Sequence, residues 1–304
     1  MTGRINHETR RDFGIVEQDA VKRYAVLSMD VEDWYHLDYF SGLKTDRSSS
    51  MLDGLDVYLT LLKRHSIRTT FFVLGELAER LGVMLRAMAA TGHEIASHGV
   101  AHKRPLKMTV DEFADDLRQS KATLENIVQR SVEGFRAPCF SLDRTRLQEV
   151  RKAGYTYDSS RIDFTGHPLY GSLDVSDFET VSPGHAMRHG FHEFEVSTLP
   201  VLGKRLPVSG GGYLRITPWA IMRPLIQSYV SRNPLYVLYI HPFELSPSPL
   251  PAAAARLSYP QRLRFGLGRA GVARKLEKLV RLLKDDGFSF VTFRDLCEQS
   301  ARRA

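Results

Sequence analysis

Three carboxylates lie within four residues, directly after a short apolar run. They are Asp30, Glu32 and Asp33 in the stretch LSMDVEDWYH, residues 27–36. Placing negative charges this closely at the end of a strand costs free energy unless a positive partner neutralises them. The cluster therefore predicts a positively charged partner at this point of the fold.

Two histidines indicate that the partner is a metal ion. His98 and His102, in ASHGVAH, are four residues apart, a spacing that brings two imidazoles to one side of a helical turn. Such a pair is weak evidence by itself, but with a carboxylate it forms a two-histidine, one-carboxylate site. A site of this kind leaves one or two positions open for water or substrate, which is typical of a catalytic ion.

Two further polar residues follow strand-like segments. Arg136, in GFRAPCFS, precedes a proline that turns the chain away from a sheet, and an arginine there can hold a carboxylate ionised. His241, in YIHPFEL, follows the apolar run 236–240. Taken singly, each has an ordinary explanation as a salt bridge or a structural histidine. Their interest lies in their occurrence together with the carboxylates and the histidine pair.

Hydrophobic patterns predict the elements that position these residues. Strand-like and helix-like segments alternate, which predicts an α/β fold with a parallel sheet or barrel. In such folds the chemistry lies at the carboxyl ends of the strands. Asp30, His98, Arg136, Asp158 and His241 each follow a different strand-like segment. The predicted helices cover 51–66, 76–91, 109–130 and 272–285, and the predicted strands lie in 23–32, 67–75, 92–99, 132–138, 154–160, 234–242 and 288–293.

The chain is interpreted as one domain over residues 23–304, after a polar segment, 1–22, that is predicted to be poorly ordered. The stretch from about 163 to 215 is rich in glycine, proline and histidine. We interpret it as an insertion with short strands inside that domain.

Composition narrows the class of protein. The 304 residues are 43% hydrophobic and 25% charged, which is typical of a globular chain. No apolar run approaches the roughly 18 to 20 residues of a membrane span, and the N-terminus has no run of signal-peptide length. Cys139 and Cys297 form neither a disulfide framework nor a metal-binding cysteine pair. These features predict a cytoplasmic protein in a reducing compartment.

Much of the net charge of +7 lies between Arg256 and Lys284. We interpret this segment as the solvated face of an amphipathic helix, because apolar residues recur at helical spacing at Val272, Leu276, Leu279, Leu282 and Leu283. The alternative is a basic face for an acidic glycan, a lipid pyrophosphate or an anionic membrane. Nucleic acid is not expected as a partner, because the chain has no recognisable binding module for it.

Five motifs, in order, resemble those of the polysaccharide deacetylase superfamily (carbohydrate esterase family 4, the NodB homology domain). They are MDVEDW, SHGVAH, FRAP, YDSS and YIHPFEL, between residues 29 and 245. The first motif is similar to the branch with Asp-Val-Glu-Asp-Trp in place of Thr-Phe-Asp-Asp-Gly, as are SGGGYLRITP (209–218) and the arginine-rich tail. The resemblance implies a distorted (β/α) barrel of about seven strands, one divalent metal ion (usually zinc) and hydrolysis of an acetamide on an amino sugar.

The resemblance also implies roles for individual residues. Asp30 is expected to be the general base and Arg136 the residue that orients it. His98 and His102 are expected to be metal ligands, and His241 the general acid.

The third ligand remains open between two carboxylates. The superfamily's short motif has two adjacent acids, whereas Val31 intervenes here. Alternation along a strand places Asp30 and Glu32 on one side, which favours Glu32 and leaves Asp33 as the alternative.

Three less specific assignments complete the predicted site. Asp158 is expected to orient His241, with Asp163 as its rival. Trp34 and Tyr213, together with Tyr35, are expected to stack against the sugar, although aromatic residues near a pocket are as often core.

The expected function is a metal-dependent N-deacetylase acting on a polysaccharide or on a lipid- or nucleotide-linked glycan precursor. Zinc is the expected metal, although cobalt and nickel accept the same ligands. The alternatives are hydrolysis of another C–N bond, such as a formamide or a ureide, and a glycan-binding protein without turnover. The last is disfavoured because pure binding needs no proton-transfer pair.

Overall fold

The computed structural model describes residues 22–164, 167, 169–201 and 203–302. The predicted polar N-terminal segment therefore lies outside the described residues, apart from Lys22. The strands are β1 (Arg23–Val31), β2 (Thr70–Val73), β3 (Glu94–Ser97), β4 (Gly134–Phe135), β5 (Tyr157–Asp158), β6 (Glu179–Ser182), β7 (His185–Arg188), β8 (Phe191–Phe194), β9 (Thr198–Val201), β10 (Lys204–Pro207), β11 (Leu235–Ile240) and β12 (Phe288–Phe290).

Helices connect these strands and cover the outer face of the sheet. They are α1 (Gly54–His65), α2 (Gly82–Ala90), α3 (Val110–Val128), α4 (Arg144–Lys152), α5 (Gly211–Ile216), α6 (Trp219–Val230), α7 (Pro242–Leu245), α8 (Tyr259–Gly266), α9 (Arg269–Asp285) and α10 (Phe293–Ala301). The predicted helix over 76–91 is wrong in extent, because Gly75–Leu77 forms a separate 3₁₀ turn and α2 begins only at Gly82. None of the helices in the described part of the chain is long and apolar enough to cross a membrane.

The main sheet has the strand order β11-β1-β2-β3-β4-β5-β8-β7-β6, and β12 pairs with the start of β1. The run from β11 to β8 is parallel throughout, whereas β7 and β6 are antiparallel additions. The sheet curls into a half-barrel, which confirms the predicted α/β architecture. The short strands β6 to β10 fall within the predicted insertion.

Alternation along the strands divides the core into two layers. On β1, Ala25, Leu27 and Met29 face the helices, and on β11 the outward set includes Leu238 and Ile240. The opposite residues form an inner layer under the curl: Val26, Phe72, Ala96, Phe140, Tyr157, Phe194, Val237, Tyr239 and Phe293. Each strand that carries this inner layer ends at the same open edge of the half-barrel.

Register brings the polar residues together at that edge. Met29 on β1 pairs with Ile240 on β11, so the next residues, Asp30 and His241, are neighbours on the inner side. Ser97 on β3 pairs with Phe135 on β4, which in the same way places His98 beside Arg136. The two-residue alternation of side chains along a strand and the parallel register therefore explain why these four side chains lie close together.

Candidate active site

Asp30 is held in place by a fully buried arginine. Arg136 Nη1 donates to Asp30 Oδ1 at 2.8 Å, and the remaining guanidinium donors bond Ser28 Oγ, Ser159 O and Ser159 Oγ at 2.7 to 2.9 Å. The guanidinium also lies 4.1 Å from the ring centroid of Phe72. Because the arginine is fixed on every side, the Asp30 carboxylate has a defined position and a permanent positive neighbour.

Glu32, His98 and His102 form a group whose potential ligand atoms all lie within 4.8 Å of one another. His98 Nδ1 lies 2.7 Å from the carbonyl oxygen of Arg136. Since a carbonyl only accepts, this contact assigns the hydrogen to Nδ1 and leaves Nε2 with a free lone pair, as a ligand requires. Burial lowers the pKa of His98 to about 4, so its imidazole is neutral at pH 7.

The carboxylate of this group has an unsatisfied oxygen. Glu32 Oε2 lies 2.6 Å from His102 Nε2, yet within the described structure this buried atom has no hydrogen-bond partner. Burial raises the pKa of Glu32, but its interactions with His102, and to a smaller extent with His241 and His98, outweigh that effect and lower the pKa to about 2. Two potential ligand atoms that lie this close together without a hydrogen bond are suited to bind one shared cation.

Asp33, the alternative ligand, lies outside this group. Its carboxylate accepts from the backbone N–H groups of Trp34 and Met51 at 2.9 and 2.8 Å and from Ser50 Oγ at 2.5 Å. It caps the short helical turn Trp34–His36, where an acidic side chain satisfies free N–H groups. The geometry thus favours Glu32 and gives Asp33 a structural role.

His241 has a different partner from the two predicted. Glu244 Oε2 accepts from the backbone N–H of His241 at 3.1 Å and lies 3.3 Å from its Nδ1. His241 Nε2 points the other way and lies 3.4 Å from Glu32 Oε1. Burial lowers the pKa of His241, but the hydrogen bond to Glu244 and the nearby carboxylates raise it to about 9.

The prediction that Asp158 or Asp163 orients His241 is therefore not supported by the geometry. Asp158 accepts from the N–H and Oγ of Ser160 at 2.9 and 2.7 Å. It lies beside Glu193, and burial raises the pKa of both carboxyls. Asp163 pairs with Arg205 at 2.9 Å.

Glu244 is the partner of His241 that sequence reasoning missed. It is 1% exposed and also accepts from Arg215 Nε at 3.3 Å. Gly211 makes room for it, since a Cβ there would lie 1.9 Å from Glu244 Oε2. The available signal was the spacing His-x-x-Glu in YIHPFEL, which is that of a helix N-cap residue and the third residue of its helix.

The aromatic residues predicted to stack against the sugar lie in different environments. Trp34 is fully buried, donates from Nε1 to Ser49 O at 3.0 Å and packs edge-on against Phe40. It is a core residue, so the prediction of a sugar-stacking Trp34 is wrong. Tyr213 is half-buried beside Phe164, and Tyr35 is half-buried with the Arg47 guanidinium over its ring, so both remain candidates for substrate contact.

Left-handed backbone is concentrated at this edge of the sheet. Among the described non-glycine residues with positive φ are His102 (53°), Cys139 (55°) and Phe140 (53°), two of which follow the FRAP motif directly. Such conformations cost of order 1–3 kcal/mol each and persist where a site requires them. They shape the turns that deliver His102 and enclose Arg136.

Two family models match this chain. Residues 52–157 match the polysaccharide deacetylase family model, and residues 159–298 match a domain of unknown function (DUF3473). Strands of the second matched region flank those of the first in one sheet, because β11 lies on one side of the run from β1 to β5 and β8 lies on the other.

Individual relatives are similar over part of their length. The chain is 28% identical to a peptidoglycan deacetylase of Helicobacter pylori, over 38% of this chain and 40% of that protein. It is 31% identical to a chitooligosaccharide deacetylase of a Bradyrhizobium strain, over 32% of this chain and 44% of that protein. The matches thus span less than half of either relative.

A solved structure matches over nearly the whole chain. It is a Mycobacterium smegmatis protein assigned to the polysaccharide deacetylases, with a TM-score of 0.60, 19% identity and coverage of 95% of this chain and 93% of that one. At this identity the match shows the fold. The family model shows that residues 52–157 belong to the polysaccharide deacetylase family, and the whole chain has the fold of that solved structure.

Proposed function

We propose that this protein is a metal-dependent deacetylase that hydrolyses the acetamide of an N-acetylated amino sugar in a polysaccharide or glycan precursor. The observation that carries the proposal is a single cluster of side chains in which three functions lie side by side. Glu32, His98 and His102 form a donor set, Asp30 is a fixed carboxylate outside that set, and His241 faces the set from the next strand.

The ligand types in this donor set are those that bind divalent metal ions. Two imidazoles and a carboxylate suit zinc, and cobalt or nickel would accept the same atoms. One cation would also satisfy the buried Glu32 Oε2, which otherwise has no hydrogen-bond partner in the described structure. When bound, the ion supplies Lewis acidity to the acetamide carbonyl and to the attacking water.

The protein's own groups move the protons. Asp30 takes a proton from the attacking water as the water oxygen bonds to the acetamide carbon, and Arg136 holds that carboxylate in position. The C–N bond then breaks, and His241 donates a proton to the departing amine nitrogen. Glu244 holds the His241 ring by Nδ1, so that Nε2 is directed towards Glu32. The products are acetate and a free amino sugar.

The names of the relatives suggest the substrates to test. We infer that the substrate is a glycan with acetamido groups, of the class represented by peptidoglycan fragments and chitooligosaccharides. The zinc-loaded protein should release acetate from at least one member of such a panel, and Asp30→Asn should abolish most of that release. Formamido sugars in the same panel test the alternative C–N bond. A protein that binds zinc and glycans but releases neither acetate nor formate would be a binding protein, and the proposal would fail.

A further inference from the structure

Helix α8 leaves an apolar stripe exposed. Tyr259, Leu263 and Leu267 are 79%, 49% and 46% exposed, and their spacing of four residues places them along one side of the helix and its C-cap. The next helix, α9, behaves differently, because its apolar residues from Val272 onward are buried, as the sequence predicts. The exposed stripe is therefore a property of α8 and not of the whole basic segment.

A fourth exposed apolar side chain extends this stripe. Ile216, at the end of α5, is 39% exposed. The preceding residue, Arg215, donates to the backbone carbonyls of Arg264 and Leu267, which fixes the end of α5 against the C-terminal end of α8. We call Ile216, Tyr259, Leu263 and Leu267 the α8 patch.

Basic side chains surround the α8 patch. Residues 246–276 include six lysines and arginines and no aspartate or glutamate. Arg256, Arg262 and Arg264 are exposed, and Arg256 donates to the backbone carbonyl of Lys44, which brings that exposed lysine alongside. An apolar stripe flanked by arginines suits a partner that is apolar inside and anionic outside.

The same helix lies beside the candidate active site. Phe265, its fully buried residue, stacks on Phe243 with ring centroids 5.2 Å apart and packs edge-on against Phe40 at 5.3 Å. The Phe243 ring in turn lies 5.7 Å from the ring of His241. The α8 patch is therefore on a helix whose buried face packs beside the candidate active site.

We propose that the α8 patch docks the protein peripherally on an anionic lipid bilayer. The apolar side chains enter the boundary between headgroups and acyl chains, and Arg256 and Arg262 contact lipid phosphates. The proposal goes beyond the deacetylase activity and does not depend on it. Its consequence is that glycans attached to the bilayer are presented to the candidate active site.

The test is cosedimentation of the zinc-loaded full chain with vesicles. Phosphatidylcholine vesicles that contain phosphatidylglycerol should bind the protein, whereas pure phosphatidylcholine vesicles should bind it much less. Arg262→Gln should weaken the partition about fivefold. Leu263→Ser should weaken it about tenfold. Val83→Ser is the matched control, because Val83 is 78% exposed on α2, away from the patch, and this variant should bind like the wild type.

Further measurements keep the outcome unambiguous. Melting temperature and acetate release from a soluble oligosaccharide should be unchanged in Leu263→Ser, which separates docking from folding and from catalysis. Equal sedimentation of the wild type, Arg262→Gln and Leu263→Ser would overturn the proposal. The proposal would also be overturned if the wild type does not bind phosphatidylglycerol vesicles but forms dimers that Leu263→Ser disrupts. The patch would then be a contact between two copies of the chain.

Discussion

Gly211→Ala should separate catalysis from metal binding. A Cβ at this position would lie 1.9 Å from Glu244 Oε2, 2.7 Å from Glu244 Cδ and 2.9 Å from Ile240 Cγ1. Oε2 is the same atom that accepts from His241 N and lies against His241 Nδ1. The added methyl group therefore strikes the contact that orients the proposed general acid.

The size of the effect of Gly211→Ala on stability and kcat follows from the contacts that the added methyl group displaces. Displacing the carboxylate forfeits a charge-assisted hydrogen bond, about 1.5–3 kcal/mol, and overpacking adds about 1–3 kcal/mol. Replacing a helical glycine by alanine returns about 1 kcal/mol. We expect a net destabilisation of about 2–4 kcal/mol and, because His241 is misplaced rather than lost, a decrease of kcat of roughly 10- to 100-fold, less than removal of an acid catalyst usually costs.

Gly212→Ala is the matched control. Its Cβ would lie 3.9 Å from Glu244 Oε1, an ordinary contact in the same helix. This variant should keep kcat and gain about 0.5–1 kcal/mol of stability. Denaturant unfolding, acetate release and zinc content per chain measure the three quantities. If the two alanine variants have the same kcat and stability, Glu244 does not orient His241 in the way the structure indicates.

The other predictions address the metal, the base, the acid and the acid sensitivity of the fold. His102→Ala should lower zinc content and activity together, and unchanged zinc per chain would place the metal elsewhere. Asp30→Asn should keep zinc while kcat falls about 10²- to 10⁴-fold, so loss of zinc would make Asp30 a ligand. His241→Ala should lose more activity on an acetamide than on a matched acetate ester, because an alkoxide leaves without prior protonation more readily than an amine; equal losses would assign the proton to another group. Burial and the neighbouring His192 lower the pKa of His185 to about 3, below the 6.5 of an unfolded chain, so unfolding takes up a proton below pH 6.5 and stability falls as the pH decreases. The non-titrating His185→Asn should therefore lose about 2 kcal/mol less stability between pH 6.5 and 5 than the wild type, and parallel pH profiles would contradict this.

Local patterns in the sequence predict much of the site, because strand period and register are local properties. Side chains alternate along β1, so Leu27 and Met29 pack against the helices outside the sheet and Asp30 faces the inside of the curl. The same alternation along β11 makes His241, the residue after it, face inward. Helical spacing likewise predicts the buried face of α9. These inferences need only the chain within a few residues of each position.

The remaining features depend on contacts between distant segments. The sequence leaves Asp33 as the alternative ligand, but its contacts are decided by the N–H of Met51 and the hydroxyl of Ser50, which the turn brings to it. Trp34 lies next to the ligand cluster in sequence, yet its indole is enclosed by residues from elsewhere in the chain, including Phe40 and Phe243. Neither environment can be inferred from spacing, because both are set by how the loop folds back.

The position of Asp158 shows why a motif in the right order can still give the wrong partner. In the sheet order, β5 is separated from β11 by four strands, and strands lie about 4.8 Å apart. The oxygens of Asp158, at the end of β5, accept from Ser160, whose Oγ in turn accepts from the backbone N–H of Ala137 at 2.8 Å. Glu244, in contrast, is close to His241 in sequence, one helical turn further along the chain. The residue that orients the proposed acid therefore comes from α7, which directly follows His241, while Asp158 braces the turn after Arg136 through Ser160.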